Sequence, residues 1–312
     1  MKLLMENWKK FVNEELPPDF SKAAVVPVVD FLNSPEGKDP KVRAMLGSGR
    51  SDGRPGDEVI EVNENAQPQV GKLFPTQNEI SLMKSIGWPL STLNSVTNSL
   101  TGDITGKGKK IVTAGNLVID GHHRWSSMWA TAGPKVVINA VDIQFPGAGP
   151  LNKLAVAQVA IAATMKADAG KIPSASAGDK EDPDAVSDNI LGKKAPEIKA
   201  MILERRGQPT EAGVLLGNEY LQKITGVPAA QKLWGLKPEM SPEQTMNTIV
   251  NVVATNLSQL PPPQGPVRDY MPQFDGGETH KGQVSLGQVV KKMKSGAVNY
   301  KAGYNPAGQT KE

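Results

Sequence analysis

The sequence predicts an α+β protein: a small mixed sheet with helices, followed by a mainly helical C-terminal region. Three observations carry that reading. Residues 109–133 pass from β-branched runs through a Gly-Asn pair into a stretch of helical spacing. Residues 136–145, V-V-I-N-A-V-D-I-Q-F, have the β-branched content of one more strand. Beyond them the apolar spacing is helical, with breaks, to the end of the chain.

Taken in order, residues 1–16 place Leu4, Trp8, Phe11, Val12 and Leu16 along one side of a short helix that Pro17 and Pro18 end. Glu6, Lys9 and Lys10 interrupt any apolar run, so the segment does not read as a secretory signal. Residues 23–31 allow a short strand or helix around Pro27, and residues 33–69 read as loop. The Gly-rich part of that loop, residues 47–56, lacks the Gly-Lys-Ser/Thr ending of a phosphate loop and reads as linker. Residues 80–86 predict a short helix that Trp88-Pro89 stops, and residues 91–110 predict a polar surface loop.

Next come a strand, a turn at Gly115-Asn116, a second strand ending at Val118-Ile119, and a helix that opens at Asp120-Gly121. Trp125, Met128 and Trp129 share one face of that helix and should pack on the hairpin. Asp142 falls opposite its apolar neighbours and reads as a solvated strand residue. Helices are predicted over 151–169, 195–206 and 211–224, with an exposed loop at 172–183. Ser241-Pro242-Glu243-Gln244 is a helix start signal, and Pro261-Pro262-Pro263 the stop. The tail at 268–280 reads as loop, with Arg268 and His280 as candidates for a segment closing on a site, and 285–295 predicts a last helix with a basic edge. The resulting organisation is an N-terminal helix at 1–18, a flexible segment at 19–66, an α+β domain at 67–150, a helical region at 151–260 and a tail with a short helix at 261–312.

Composition limits the function classes. The 312 residues could form two ordinary domains, but 25 prolines and 31 glycines assign much of the chain to loops. A formal charge of +3 excludes a general polyanion binder, so nucleic-acid contact requires a local patch. With no cysteine there is neither thiol catalysis nor a disulfide.

The chemistry concentrates at the start of the central helix. First-turn N–H groups of a helix carry partial positive charge, Asp120 is placed to cap, and Gly121 lets a ligand approach the backbone. Two of the three histidines, His122 and His123, stand there beside Arg124. Donors and charge so arranged suit a phosphate. Consecutive histidines point to different sides of a helix, which favours one toward the ligand and one toward a neighbour over a paired metal site.

The run Ile119-Asp120-Gly121-His122-His123-Arg124-Trp125 resembles the second motif of the ParB/sulfiredoxin superfamily, whose hairpin strand delivers G-x-x-R at a helix start. The D-G-H-H-R variant is similar to that of the free-serine-kinase-like branch and of ParB-like proteins of bacteriophages. Residues 70–80, with P-T-Q-N-E-I at Pro75 to Ile80, look like the first motif in its phage-type form. The resemblance covers about residues 67–145 and implies a ParB/sulfiredoxin-like mixed sheet and a ParB-like nuclease, nucleotide hydrolase or phosphotransferase. It further implies Glu79 as the base, His122 and His123 as catalytic groups, and Gln77, Asp120, Gly121, His122, His123 and Arg124 as phosphate and nucleotide contacts. Mg2+ carried in with ATP, ADP or CTP is the expected cofactor, with no metal site of the protein's own. DNA is a further expected partner and a membrane is not. The leading helix is similar to leaders of large-phage proteins, some of them carried in the head, which implies head proteins as partners and the host cytoplasm or the virion as location. Two departures stand. Sulfiredoxin chemistry needs a cysteine the chain lacks, and partition-type ParB proteins carry G-E-R-R where this chain has Gly121-His122-His123-Arg124.

Two roles fit Glu79: a base, or a residue that stabilises a turn. Two function classes follow: an enzyme of phosphate chemistry, and a DNA-binding or virion-associated structural protein in which the same turn only holds a phosphate.

Overall fold

The computed structural model describes residues 59–145, 149–165, 188–264 and 285–299, with Pro40, Ala44, Leu46, Gly47, Gly49 and Phe274. The predicted N-terminal helix, the elements at 23–31, the loop at 172–183 and the tail at 268–280, apart from Phe274, lie outside the described residues. The chain is mixed α+β. In sequence order it forms β1 (Val62–Ala66), a short 3-10 turn (Val70–Lys72), β2 (Phe74–Pro75), α1 (Leu82–Ile86), α2 (Leu93–Ser99), β3 (Ile111–Ala114), β4 (Leu117–Asp120), α3 (His122–Ala132), β5 (Ala140–Ile143) and α4 (Pro150–Thr164). After these come α5 (Ala195–Glu204), a hairpin of β6 (Pro209–Thr210) and β7 (Gly213–Val214), α6 (Asn218–Ile224), α7 (Pro228–Trp234), α8 (Pro242–Leu257) and α9 (Leu286–Lys294). Two compact units are distinguishable: Glu64–Val141 with Asp182–Pro263, and Met1–Asn63 with Asp142–Glu181 and Gln264–Glu312.

A five-stranded sheet runs in the order β1-β5-β3-β4-β2. The hairpin β3–β4 is antiparallel, and β2 lies parallel to β4 with Phe74 opposite Leu117 and Pro75 opposite Val118. In the first unit α3 packs on α1, α2 and α8, and α8 packs on α5. Trp125, Met128 and Trp129 are buried there with Ile198, Ile202, Ile249 and Val253, so the apolar face of α3 meets helices as well as the hairpin. The Trp125 indole N–H donates to Val70 O at 3.0 Å, which satisfies its one polar atom inside the core. In the second unit α9 buries Val289, Val290 and Met293 and packs on α4, where Lys292 Nζ donates to Ala163 O at the end of that helix. Partial burial lowers the Lys292 pKa. No helix among the described residues is long and apolar enough to cross a membrane.

Helix α8 starts as its sequence dictates: Ser241 Oγ accepts from Gln244 N at 3.3 Å while Gln244 Oε1 accepts from Ser241 N at 2.9 Å. Three elements differ from expectation. Residues 91–110 contain α2, which buries Ser95, Val96 and Ser99; its two large apolar residues, Leu93 and Val96, are too few to announce a helical period. The helix expected over 211–224 is a hairpin followed by α6, because Gly213 takes φ +146° and Leu216 turns the chain at φ +50°. Finally, β1 lies at the end of the stretch read as loop, and β1 is polar and exposed through its middle, without the alternation that announces a strand.

Candidate functional site

The register of the sheet brings both sequence motifs to one end. Parallel neighbours β2 and β4 finish side by side; β2 leads into residues 76–81, and β4 leads through Gly121 into α3. The outer ends of parallel strands are where a crevice for a ligand forms. Val112 is paired with Asp120, so the beginning of β3 lies at the same end. Gly121 is the N-cap at φ +89°, and a Cβ there would stand 2.7 Å from Ile111 Cγ2. Glycine is needed at this turn for its backbone conformation and for packing. Gly121, and not Asp120, therefore stands at the N-cap position. Asp120 ends β4, and its Oδ2 lies 3.5 Å from Arg124 Nη2, one turn on.

Both histidines turn toward the first motif. His122, 4% exposed, accepts the Thr76 N–H at Nε2 over 3.0 Å, with Thr76 Oγ1 3.3 Å from the same nitrogen. Thr76 Oγ1 in turn lies 2.5 Å from Val118 O, to which it donates. His123 Nε2 accepts the Ser81 N–H at 3.3 Å. A backbone amide can only donate, so each Nε2 is the acceptor in these bonds. Through Nε2 the two rings pin opposite ends of residues 76–81.

Within that loop Gln77 is buried, and its Nε2 donates to Glu79 O at 2.5 Å, shaping the turn from inside. Glu79 is half-buried, and among the described residues its carboxylate has no hydrogen-bond or ion-pair partner. The loop is held from its other side by residues that sequence reasoning did not single out. Asp188, buried, accepts from Ser81 Oγ at 2.7 Å and Met83 N at 2.9 Å through Oδ2, and its Oδ1 lies 3.0 Å from Arg205 Nε. Asn189 Oδ1 accepts from Ile80 N at 3.0 Å and Leu191 N at 3.1 Å. Backbone bonds from Leu82 N to Asp188 O and from Ile190 N to Ile80 O complete the clamp. No local pattern marks these residues, because their partners in the loop lie more than a hundred positions away.

The arrangement therefore joins a helix start whose N-cap residue is glycine, an arginine paired with an aspartate, and a clamped loop whose Glu79 carboxylate has no partner among the described residues. No family model, curated protein or solved structure matches the chain. Among the described residues no group of three or more His, Asp or Glu is placed to hold a metal ion. A divalent ion used here would take most of its ligands from the phosphates it accompanies and from water.

Proposed function

We propose that the chain is a phage-type ParB-like protein that binds nucleotide or DNA phosphates at the start of α3 and hydrolyses or transfers them, with Glu79 as base. The observation that carries the reading is the parallel pairing of β2 with β4, which sets the Glu79 loop beside the helix start at one end of the sheet. A phosphate there would meet the positive end of the α3 dipole and compete with Asp120 for Arg124. Glu79 would take the proton of an attacking water or hydroxyl as its oxygen bonds to phosphorus, and the leaving oxygen would depart with the electron pair of the broken P–O bond. Mg2+ bound to the nucleotide would supply neutralising charge. His122 and His123 enter as positioning residues, since their Nε2 atoms hold the loop that carries the base.

The test is phosphate release or transfer from nucleoside triphosphates with Mg2+, with and without DNA, by the parent protein, E79Q and R124A. E79Q should lower turnover by about 10²–10⁴-fold with binding retained, whereas R124A should weaken nucleotide binding. Silence of a folded parent across the panel would overturn the enzymatic reading. A second reading, a non-catalytic DNA-binding or virion-associated protein, is favoured by one observation: both histidines are spent on backbone amides and the arginine on Asp120. Under it R124A weakens DNA binding and there is no turnover to lose.

A further inference from the structure

Three lysines within four positions, Lys107, Lys109 and Lys110, form a dense local charge in a chain whose formal net charge is only +3. They sit on a loop of fixed shape. The Asp103 carboxylate accepts from Thr105 N at 3.2 Å, Thr105 Oγ1 at 3.0 Å and Gly106 N at 3.1 Å through Oδ1, and from Gly108 N at 2.6 Å through Oδ2. Gly106 and Gly108 supply the positive φ values, +66° and +70°, that this wrapping requires. The one carboxylate in the loop is thus consumed by its own backbone, and the loop would lose little freedom on meeting a ligand.

Among the described residues none of the three lysines is neutralised by a carboxylate. Lys107 Nζ lies 4.7 Å over the Trp88 ring. Lys110 Nζ donates to Glu64 O at 2.6 Å and Asn65 Oδ1 at 2.9 Å, contacts that fix the ammonium and leave its charge in place. Lys109 is exposed, and neither it nor Lys107 makes an ion pair among the described residues. The loop runs directly into β3, whose Val112 is paired with Asp120. Lys109 is three residues before Val112, about 10 Å along an extended chain. Backbone spacing thus puts Lys109 beyond the span of one phosphate group at the α3 start, where a neighbouring phosphate of a polymer would lie.

We propose that residues 105–110 are a docking surface for the backbone of a DNA strand, one of whose phosphates occupies the start of α3. The inference rests on the phosphate-binding reading of that helix start and names its substrate class as polynucleotide. Each lysine that contacts a phosphate releases a counterion, so the surface has a salt signature.

The experiment is binding of short labelled DNA strands to the full chain between about 50 and 200 mM salt, for the parent, K107Q/K109Q, and K232Q/K237Q as a control of equal charge change at two exposed lysines. K107Q/K109Q should flatten the slope of log K against log salt by about 1.4 for single-stranded and about 1.8 for duplex DNA, while the control keeps the parent slope. An unchanged slope in K107Q/K109Q, an equal change in the control, or no DNA binding by the parent at low salt would each overturn the proposal. R124A tested with ATP separates the two readings. Loss of ATP binding in R124A with an unaltered lysine-variant slope overturns the docking surface alone. A flattened slope with R124A still binding ATP as the parent does supports the surface and overturns the helix-start reading.

Discussion

The two ends of α3 are finished in opposite ways. At the C-terminal end, side chains from the helices around it close off the carbonyls: Asn256 Nδ2 donates to Ala130 O at 3.0 Å and the Trp234 indole N–H to Thr131 O at 2.8 Å. At the N-terminal end the cap is a glycine, and the polar side chains nearby reach outward to hold a separate loop. By contrast, α8 and α9 begin with serine–glutamine capping boxes. A helix leaves donors unsatisfied at its start and acceptors at its finish. In α3 the acceptor end is sealed by side chains, and the donor end is given to a glycine beside a clamped loop. That asymmetry suits an anion site at one end and packing at the other.

The comparison breaks most forcefully at Asp188, the far jaw of the clamp. Replacing it by alanine leaves Arg205 without its buried partner and removes the acceptor for Ser81 Oγ and Met83 N. Loss of one member of a buried ion pair costs about 3–5 kcal/mol, so D188A should show a much lower urea midpoint with an unchanged slope. A loss below about 1 kcal/mol would mean that the loop is held by its backbone bonds, Asn189 and the histidines without need of Asp188.

A smaller and more discriminating contrast sets H122A against N256A. Each removes a side chain that bonds backbone at one end of α3. H122A leaves a buried amide without an acceptor and should cost about 1–3 kcal/mol. It should also reduce nucleotide turnover, because the Glu79 loop loses a pin. N256A should cost about 1 kcal/mol and leave turnover per folded molecule unaltered. Equal effects of the two on turnover would remove the functional distinction between the ends.

How much of this was legible in the sequence follows from the range of the interactions. The turn at Gly115-Asn116, the helix from His122 and the box at Ser241 are decided by neighbours within four residues, and each forms where the residues place it. The pairing of β2 with β4 joins Phe74 to Leu117, and its consequence, two motifs at one end, needed the register. The histidines were legible as residues and not as directions: a ring at a helix start points to ligand or to loop according to what tertiary structure sets before it. Asp188 and Arg205 could not be found, since one buried carboxylate in a polar stretch has no periodicity to betray it. Residues 91–110 were legible as a polar surface loop and the lysines at its end were not singled out, because their place beside β4 depends on the pairing of the strand that follows them.

The smallest expected effect concerns a buried bond that belongs to neither end of α3. Tyr220 is buried, its hydroxyl donates to Pro89 O at 2.6 Å, and burial pushes its pKa well above the ordinary tyrosine value. Above pH about 10 the unfolded chain releases this proton while the folded chain keeps it. The folded state then binds more protons, and stability falls as pH rises further. Y220F should cost about 1 kcal/mol at neutral pH through the lost hydrogen bond, and should remove this alkaline decline. Denaturation curves of the two proteins should therefore converge as pH rises past 10. The helix-end variants H122A and N256A leave Tyr220 in place and should keep the parent's alkaline slope. Parallel curves for Y220F and parent would show that the phenol ionises in the folded chain, and that burial of a polar group away from α3 is looser than burial at its ends.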